Sequence, residues 1–171
     1  MNNTLHIDDW DLYFFKLANL IARKSKDPSS IVGSVIVKDK RVLTTGYNGF
    51  CIGVWDFEER YADRETKYQF VAHSEFNACI VAARFGISIC DSTLYTQTLP
   101  CENCAKAIIQ AGVKTVKTLK SCEQLWANYS KNWADSKRIT QIMFSEAEIK
   151  NIEYNIECGD KILIGGKIYE I

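Results

Sequence analysis

Between residues 71 and 119 the chain alternates twice between helix-like and strand-like segments, and this alternation restricts its fold more than any other feature. Residues 71–85 read as a helix, 93–97 as a short strand, 101–111 as a helix ended by Gly112, and 113–119 as a strand. Helix, strand, helix, strand is the order that builds parallel pairing with helical crossovers. With 171 residues in all, the chain suits one domain around a single substantial core.

The flanking segments extend this pattern. Trp10, Tyr13, Phe14, Leu17 and Ile21 recur at three- and four-residue steps, which predicts an amphipathic helix over 10–24 capped by Asp8 or Asp9. The aromatic stripe could stack a ligand, but core packing is the reading that periodicity favours. Ser25-Lys26-Asp27-Pro28 stops that helix, because the residue before a proline avoids the α region. Residues 33–38 and 41–47 read as a hairpin turning at Asp39-Lys40, and Gly46-Tyr47-Asn48-Gly49 closes the second strand. Residues 50–69 are polar and without a period, the profile of a long functional loop. A polar stretch follows Ser121, then a helix near 133–147 and strands at 149–154 and 161–171, the last bent at Gly165-Gly166. Gly166-Lys167 lacks the upstream glycine and following Ser or Thr of a phosphate loop and reads as a turn.

Composition narrows the function. Hydrophobic residues make up 47% and charged residues 25%, as in ordinary globular proteins. With 21 basic and 21 acidic residues, the chain lacks the cationic surplus of a general nucleic-acid binder. No run approaches the ~20 apolar residues of a membrane span. The segment before Trp10 carries Asp8 and Asp9 and lacks the basic-then-apolar order of a signal peptide. Seven cysteines without such a signal point to a reducing, cytoplasmic setting in which thiols stay free or bind metal.

The residues that carry chemistry are His73-Ser74-Glu75 and Pro100-Cys101-Glu102-Asn103-Cys104. Two thiolates two residues apart can hold one metal from the first turn of a helix, where the backbone amides and positive dipole end stabilise their charge. His73 opens the neighbouring helix and supplies an imidazole, and three ligands of this type suit zinc with a fourth position left for water. The only other histidine, His6, lies in the N-terminal segment away from these motifs, which leaves Cys51, Cys79, Cys90, Cys122 and Cys158 as sources of a fourth ligand. Glu75 decides between an open and a closed site, since a purely structural metal has no use for an acid two residues from a ligand. A lone Cys-x-x-Cys is equally redox-active, structural or metal-binding; joined to His-x-Glu upstream, it is the signature of zinc nucleobase deaminases. Such a metal lowers the pKa of bound water from 15.7 toward ~7, and Glu75 would carry that proton to N3 of a pyrimidine and a second to departing ammonia.

The sequence resembles the deoxycytidylate (dCMP) deaminases of the cytidine deaminase superfamily over about residues 10–147. The likeness rests on Ser25-Lys26-Asp27-Pro28, Val32-Gly33-Ser34-Val35-Ile36-Val37, Gly46-Tyr47-Asn48-Gly49-Phe50, Thr66-Lys67-Tyr68, His73 to Ala78 and Pro100 to Gly112. It implies a three-layer α/β/α cytidine-deaminase-like fold with a mixed five-stranded sheet and a zinc-dependent deaminase domain across 1–171 with its core at about 8–154; residues 155–171 lie beyond the likeness and read as an added hairpin or an interface element. It implies conversion of dCMP to dUMP for thymidylate synthesis, with zinc on His73, Cys101 and Cys104 and Glu75 as proton carrier. Asn48 would bond the deoxyribose, the Ser74 backbone would contact the base, and Ser25 and Lys26 would lie near the 5′-phosphate. Some members are hexamers controlled by dCTP and dTTP near residues 48–70, which implies a homo-oligomer with those effectors. Two departures stand out: Ser74 replaces the usual Ala, and Cys51 the usual Pro. The alternatives are deamination of CMP, cytidine or another cytosine compound on the same scaffold, and a non-catalytic zinc-stabilised binding protein.

Overall fold

Five strands form the central sheet of the computed structural model, which describes residues 7–129 and 133–171; His6 lies outside the described residues. The strands are β1 (Gly33–Lys38), β2 (Arg41–Tyr47), β5 (Thr93–Thr96), β6 (Thr115–Leu119) and β7 (Lys150–Tyr154), in the order β2-β1-β5-β6-β7. β1 is antiparallel to β2 and β5, whereas β5, β6 and β7 run parallel, so the sheet is mixed. Short pairs supplement it: β3 (Gly49–Phe50) with β4 (Val71–Ala72), and β8 (Lys161–Ile164) with β9 (Lys167–Glu170).

Alternation along the strands divides the core in two. On one face Ile36, Leu94 and Val116 pack with Ala78, Cys79 and Ala82 of α4 (Ser74–Arg84), Ala105 and Ile108 of α5 (Glu102–Gln110), and Phe144 of α7 (Trp133–Glu146). On the other, Val35, Val37 and Tyr95 meet Phe14, Phe15 and Ala18 of α1 (Trp10–Ala22), Cys122 and Trp126 of α6 (Lys120–Tyr129), and Ile162 and Ile164 of β8. Period-2 side-chain alternation on strands buried from both sides produces this α/β/α layering. Among the described residues, no helix is long and apolar enough to cross a membrane.

Two close backbone approaches set the helix positions. Gly33 lies so near α1 that a Cβ there would stand 2.1 Å from Ala18 O. Gly46 lies so near α4 that a Cβ would stand 2.2 Å from Ser74 O and 2.5 Å from Ala78 N. The β1–β2 turn places both Asp39 and Lys40 at positive φ, the two-residue geometry that matches strand twist.

Several elements differ from the sequence reading. Asp9, not Asp8, caps α1, accepting from the Asp11 and Leu12 amides. The buried face of α1 runs through Phe14, Phe15, Ala18 and Ala22, leaving Trp10 and Tyr13 about half exposed; small residues have to face Gly33. Residues 50–69, expected as a loop, include α2 (Glu59–Ala62) and most of α3 (Arg64–Phe70), the latter capped by the Asp63 carboxylate on the Thr66 amide. Two such short helices leave no apolar period to read, and their order comes from Phe50 stacked on Tyr61 and Arg60 over Phe70. The helix expected from residue 71 begins at Ser74, because Val71 and Ala72 pair with β3 and His73 is the extended N-cap. The stretch after Ser121, read as merely polar, is helix α6.

Candidate functional site

Three donor atoms converge where α4 and α5 begin. His73 and Cys101 are the N-caps of these helices, both extended, and Cys104 lies in the first turn of α5. The Cys101 Sγ and Cys104 Sγ atoms stand 3.3 Å and 3.6 Å from His73 Nδ1, and the three ligand atoms lie within 4.8 Å of one another. Among the described residues this is the one such group of His, Cys, Asp and Glu. Both helices aim their positive ends at the triangle, which favours thiolate charge.

The loop carrying Cys101 is clamped from α6 and α7. Glu123 accepts from the Leu99 amide and the Thr98 hydroxyl, and Lys137 bonds both Glu123 and Thr98. Thr140 Oγ1 donates to Pro100 O at 2.9 Å, and Ser136 Oγ bonds Glu102. α4 is fixed to β2 by Asn77 Nδ2 donating to Tyr47 O at 2.8 Å and Thr44 Oγ1 to Ala78 O at 3.2 Å. The ligands are thus held from both sides before any metal arrives.

Charge within the group is already divided. The Cys104 hydrogen bond, aided by His73 and opposed by burial, holds the Cys101 thiol down to about 4. The same bond, then burial, drives Cys104 up. Burial works against His73 imidazolium, but the Cys101 hydrogen bond and the Glu75 charge lift it to about 9. Burial raises the Glu75 carboxyl, partly offset by His73. One imidazole and two sulfur ligands brought this close together are a donor set that fits zinc, and three protein ligands leave an open position.

Glu75 is 4% exposed and faces the triangle, its Oε2 4.0 Å from Cys104 Sγ. Around it opens a cleft whose empty space, counted out into open solvent, is about 710 Å³. His73, Ser74, Glu75 and Cys101 form its metal end; Val32, Val71, Leu99, Trp126 and Trp133 give apolar walls; Asp27, Ser29, Asn48, Lys67 and Lys137 add polar groups. Trp133 lies 5.7 Å from the His73 ring, tilted 34°, and packs edge-on against Trp126.

Of the residues singled out in the sequence, His73, Ser74, Glu75, Cys101 and Asn48 line this cleft. Asn48 braces its rim: Oδ1 accepts the Val32 amide at 2.8 Å and Nδ2 donates to Ser30 O at 2.9 Å. Ser25 and Lys26 lie off the lining; Ser25 Oγ accepts the Asp27 amide, and exposed Lys26 pairs with Asp56 at 2.9 Å. Sequence reasoning gave no role to Lys67, Trp126, Trp133 or Lys137. Lys67 was visible as the centre of Thr66-Lys67-Tyr68, while Trp133, Lys137 and Thr140 share one face of α7 at helical spacing. Buried Lys67 pairs with Asp27 at 3.1 Å and bonds Ser29 Oγ.

A His-Cys-Cys triangle beside a buried glutamate on this sheet defines a deaminase of the zinc-binding α/β/α class. The model of the cytidine and deoxycytidylate deaminase zinc-binding region matches residues 8–120, and the chain belongs to that family. An uncharacterised deaminase in the luxG 3′ region of Aliivibrio fischeri is 36% identical over 144 residues, covering 84% of this chain and 92% of that protein. Mouse deoxycytidylate deaminase is 40% identical over 114 residues, and this chain spans 63% of its length. The crystal structure of the cyanophage S-TIM5 dCMP deaminase in complex with dCMP and dUMP superposes with a TM-score of 0.66 at 25% identity, covering 87% of this chain and 99% of that one.

Proposed function

We propose that the protein deaminates dCMP to dUMP with zinc as cofactor, consuming water, releasing ammonia and supplying dUMP for thymidylate synthesis. The observation that carries the reading is a buried carboxylate beside three candidate metal ligands at one end of a cleft with apolar walls and polar groups along it. When bound, zinc supplies a water whose pKa is lowered toward ~7. Glu75 would take one proton of the attacking water and deliver it to N3, making C4 electrophilic as the water oxygen bonds to it; Glu75 would then take the remaining proton from the hydroxyl added at C4 and hand it to the amine as the C4–N bond breaks. The Ser74 backbone meets the base beside that amine, and Asn48 meets the deoxyribose. Trp133, Leu99 and Val71 exclude water around the ring.

The phosphate end of the proposal begins at Ser25 and Lys26 and extends through the 27–32 segment to Lys67 and Lys137, the two lysines on the lining. Both already carry acidic partners, Asp27 and Glu123. That pairing is the specific observation favouring a second reading, an uncharged nucleoside as substrate. Ammonia release from dCMP, CMP, deoxycytidine and dCTP decides between them: a dCMP preference of at least about tenfold in kcat/KM is expected, and preference for deoxycytidine overturns the phosphate assignment. We extend the proposal to a homo-oligomer controlled by dCTP and dTTP through residues 48–70, a segment that presents Ile52 and Trp55 to solvent at over 70% exposure.

Metal removal gives an independent check. Treatment with a strong chelator is expected to abolish turnover and lower the melting temperature, with zinc restoring both, because only the folded chain brings the three ligands together. Full activity in protein shown to be metal-free would sink the hydrolytic mechanism.

A further inference from the structure

Beside Glu75, between α4 and the sheet, lies a chain of two hydroxyls. Ser74 Oγ donates to Glu75 Oε2 at 3.1 Å, and Ser34 Oγ lies 2.8 Å from Ser74 Oγ. Ser34 and Ser74 are both fully buried, so neither hydroxyl exchanges its partner for water. With Glu75 ionised, Ser74 gives its one proton to the carboxylate, and in that state Ser34 is the donor to Ser74. Ser34 sits on β1 facing the α4 layer with Ile36, and Ser74 opens α4 with its carbonyl against Gly46. The rigid sheet therefore reaches the Glu75 carboxylate through two side-chain hydrogen bonds.

We propose that Ser34 and Ser74 form a brace that fixes the rotation of the Glu75 carboxylate, making both positioning residues for deamination. The proposal rests on the reading of Glu75 as proton carrier. A carboxylate that moves protons between water, ring nitrogen and leaving amine needs one oxygen held still while the other works. Cys104 Sγ, at 4.0 Å, is too distant and weak a donor to hold it. Tethering to β1 makes the working orientation part of the fold, which is how pre-organisation raises kcat without tightening substrate binding. A hydroxyl relayed from a second hydroxyl is also a better donor than one alone.

The test uses zinc-loaded protein and whichever cytosine nucleotide or nucleoside the wild type turns over. Ser74→Ala should lower kcat about tenfold and leave KM within about twofold, while Ser34→Ala, which keeps the final hydrogen bond, should lower kcat about threefold. Zinc content should stay at the wild-type level in both, and a crystal structure of Ser74→Ala should show the Glu75 carboxylate rotated from its present position. In a Glu75→Gln background Ser74→Ala should cause no further loss, since the two residues act as one unit. Wild-type kcat in Ser74→Ala, an unmoved carboxylate in its crystals, or the same loss in both backgrounds overturns the brace. Full turnover by Glu75→Ala would instead remove the proton-carrier reading and the brace with it, a result distinguishable from any outcome of the serine variants alone.

Discussion

Glu75→Ala is expected to bind zinc as the wild type does and to lose turnover by about 10²–10⁴-fold, the usual contribution of a positioned acid–base group. His73, Cys101 and Cys104 are untouched by the change, so metal analysis should return one equivalent per chain. The loss arises because no other carboxylate is paired with the triangle at this depth; Glu102, the nearest in sequence, is engaged with Ser136. Thermal stability should not fall, since the variant removes a carboxyl whose charged form burial disfavours. Glu75→Gln separates proton transfer from shape: it fills the same volume, keeps an acceptor for Ser74, and should be nearly as inactive. Turnover at the wild-type rate in Glu75→Ala would end the assignment.

A methyl group remote from the chemistry should do comparable damage. Gly46→Ala would place its Cβ 2.2 Å from Ser74 O and 2.5 Å from Ala78 N, both backbone atoms that no rotamer change can clear. The only relief is movement of α4 away from β2, and α4 carries His73 at its cap and Glu75 in its first turn. A loss of about 3 kcal/mol in unfolding free energy is expected, the upper end for over-packing, together with weakened zinc retention. Two glycines serve as controls. Gly33→Ala collides equally hard, but with Ala18 of α1, so it should cost stability while zinc affinity in the folded fraction is kept. Gly49→Ala meets only the Tyr47 ring at 3.6 Å and should be tolerated. Denaturant titration and a zinc-competition assay on the three variants check the pattern; tolerance of Gly46→Ala would show that α4 can shift without disturbing the ligands.

Local signals carried the parts of this fold that local signals can encode. The Asp39-Lys40 turn, the strands β1 and β2 on either side of it and the breaks at Pro28 and Gly112 depend on neighbours in sequence, and the structure places them within a few residues of where the sequence does. His73, Cys101 and Cys104 were legible because their chemistry is written in spacing alone. Contacts across sequence were not. Nothing near Lys67 in sequence announces that the fold buries it against Asp27, forty residues upstream. Nor does spacing announce that Trp133 packs beside the His73 ring, with Trp126 edge-on against it. Lys26 likewise has a partner that spacing does not announce, Asp56, thirty residues downstream and 2.9 Å away.

Residues 161–170 fold back onto the segment that borders the cleft. Ile31 N donates to Leu163 O at 3.1 Å, Gly166 N to Ser29 O at 2.8 Å and Gly165 N to Ser30 Oγ at 3.1 Å. During synthesis from the amino end, the metal-binding half of the domain emerges and can begin to order long before this hairpin leaves the ribosome. Until it does, the stretch bearing Ser29 and Ser30 lacks its outer support, so the helices that carry His73, Cys101 and Cys104 can order before the rim of the cleft is complete. Metal loading and substrate competence would then be separate events in the maturation of one small domain.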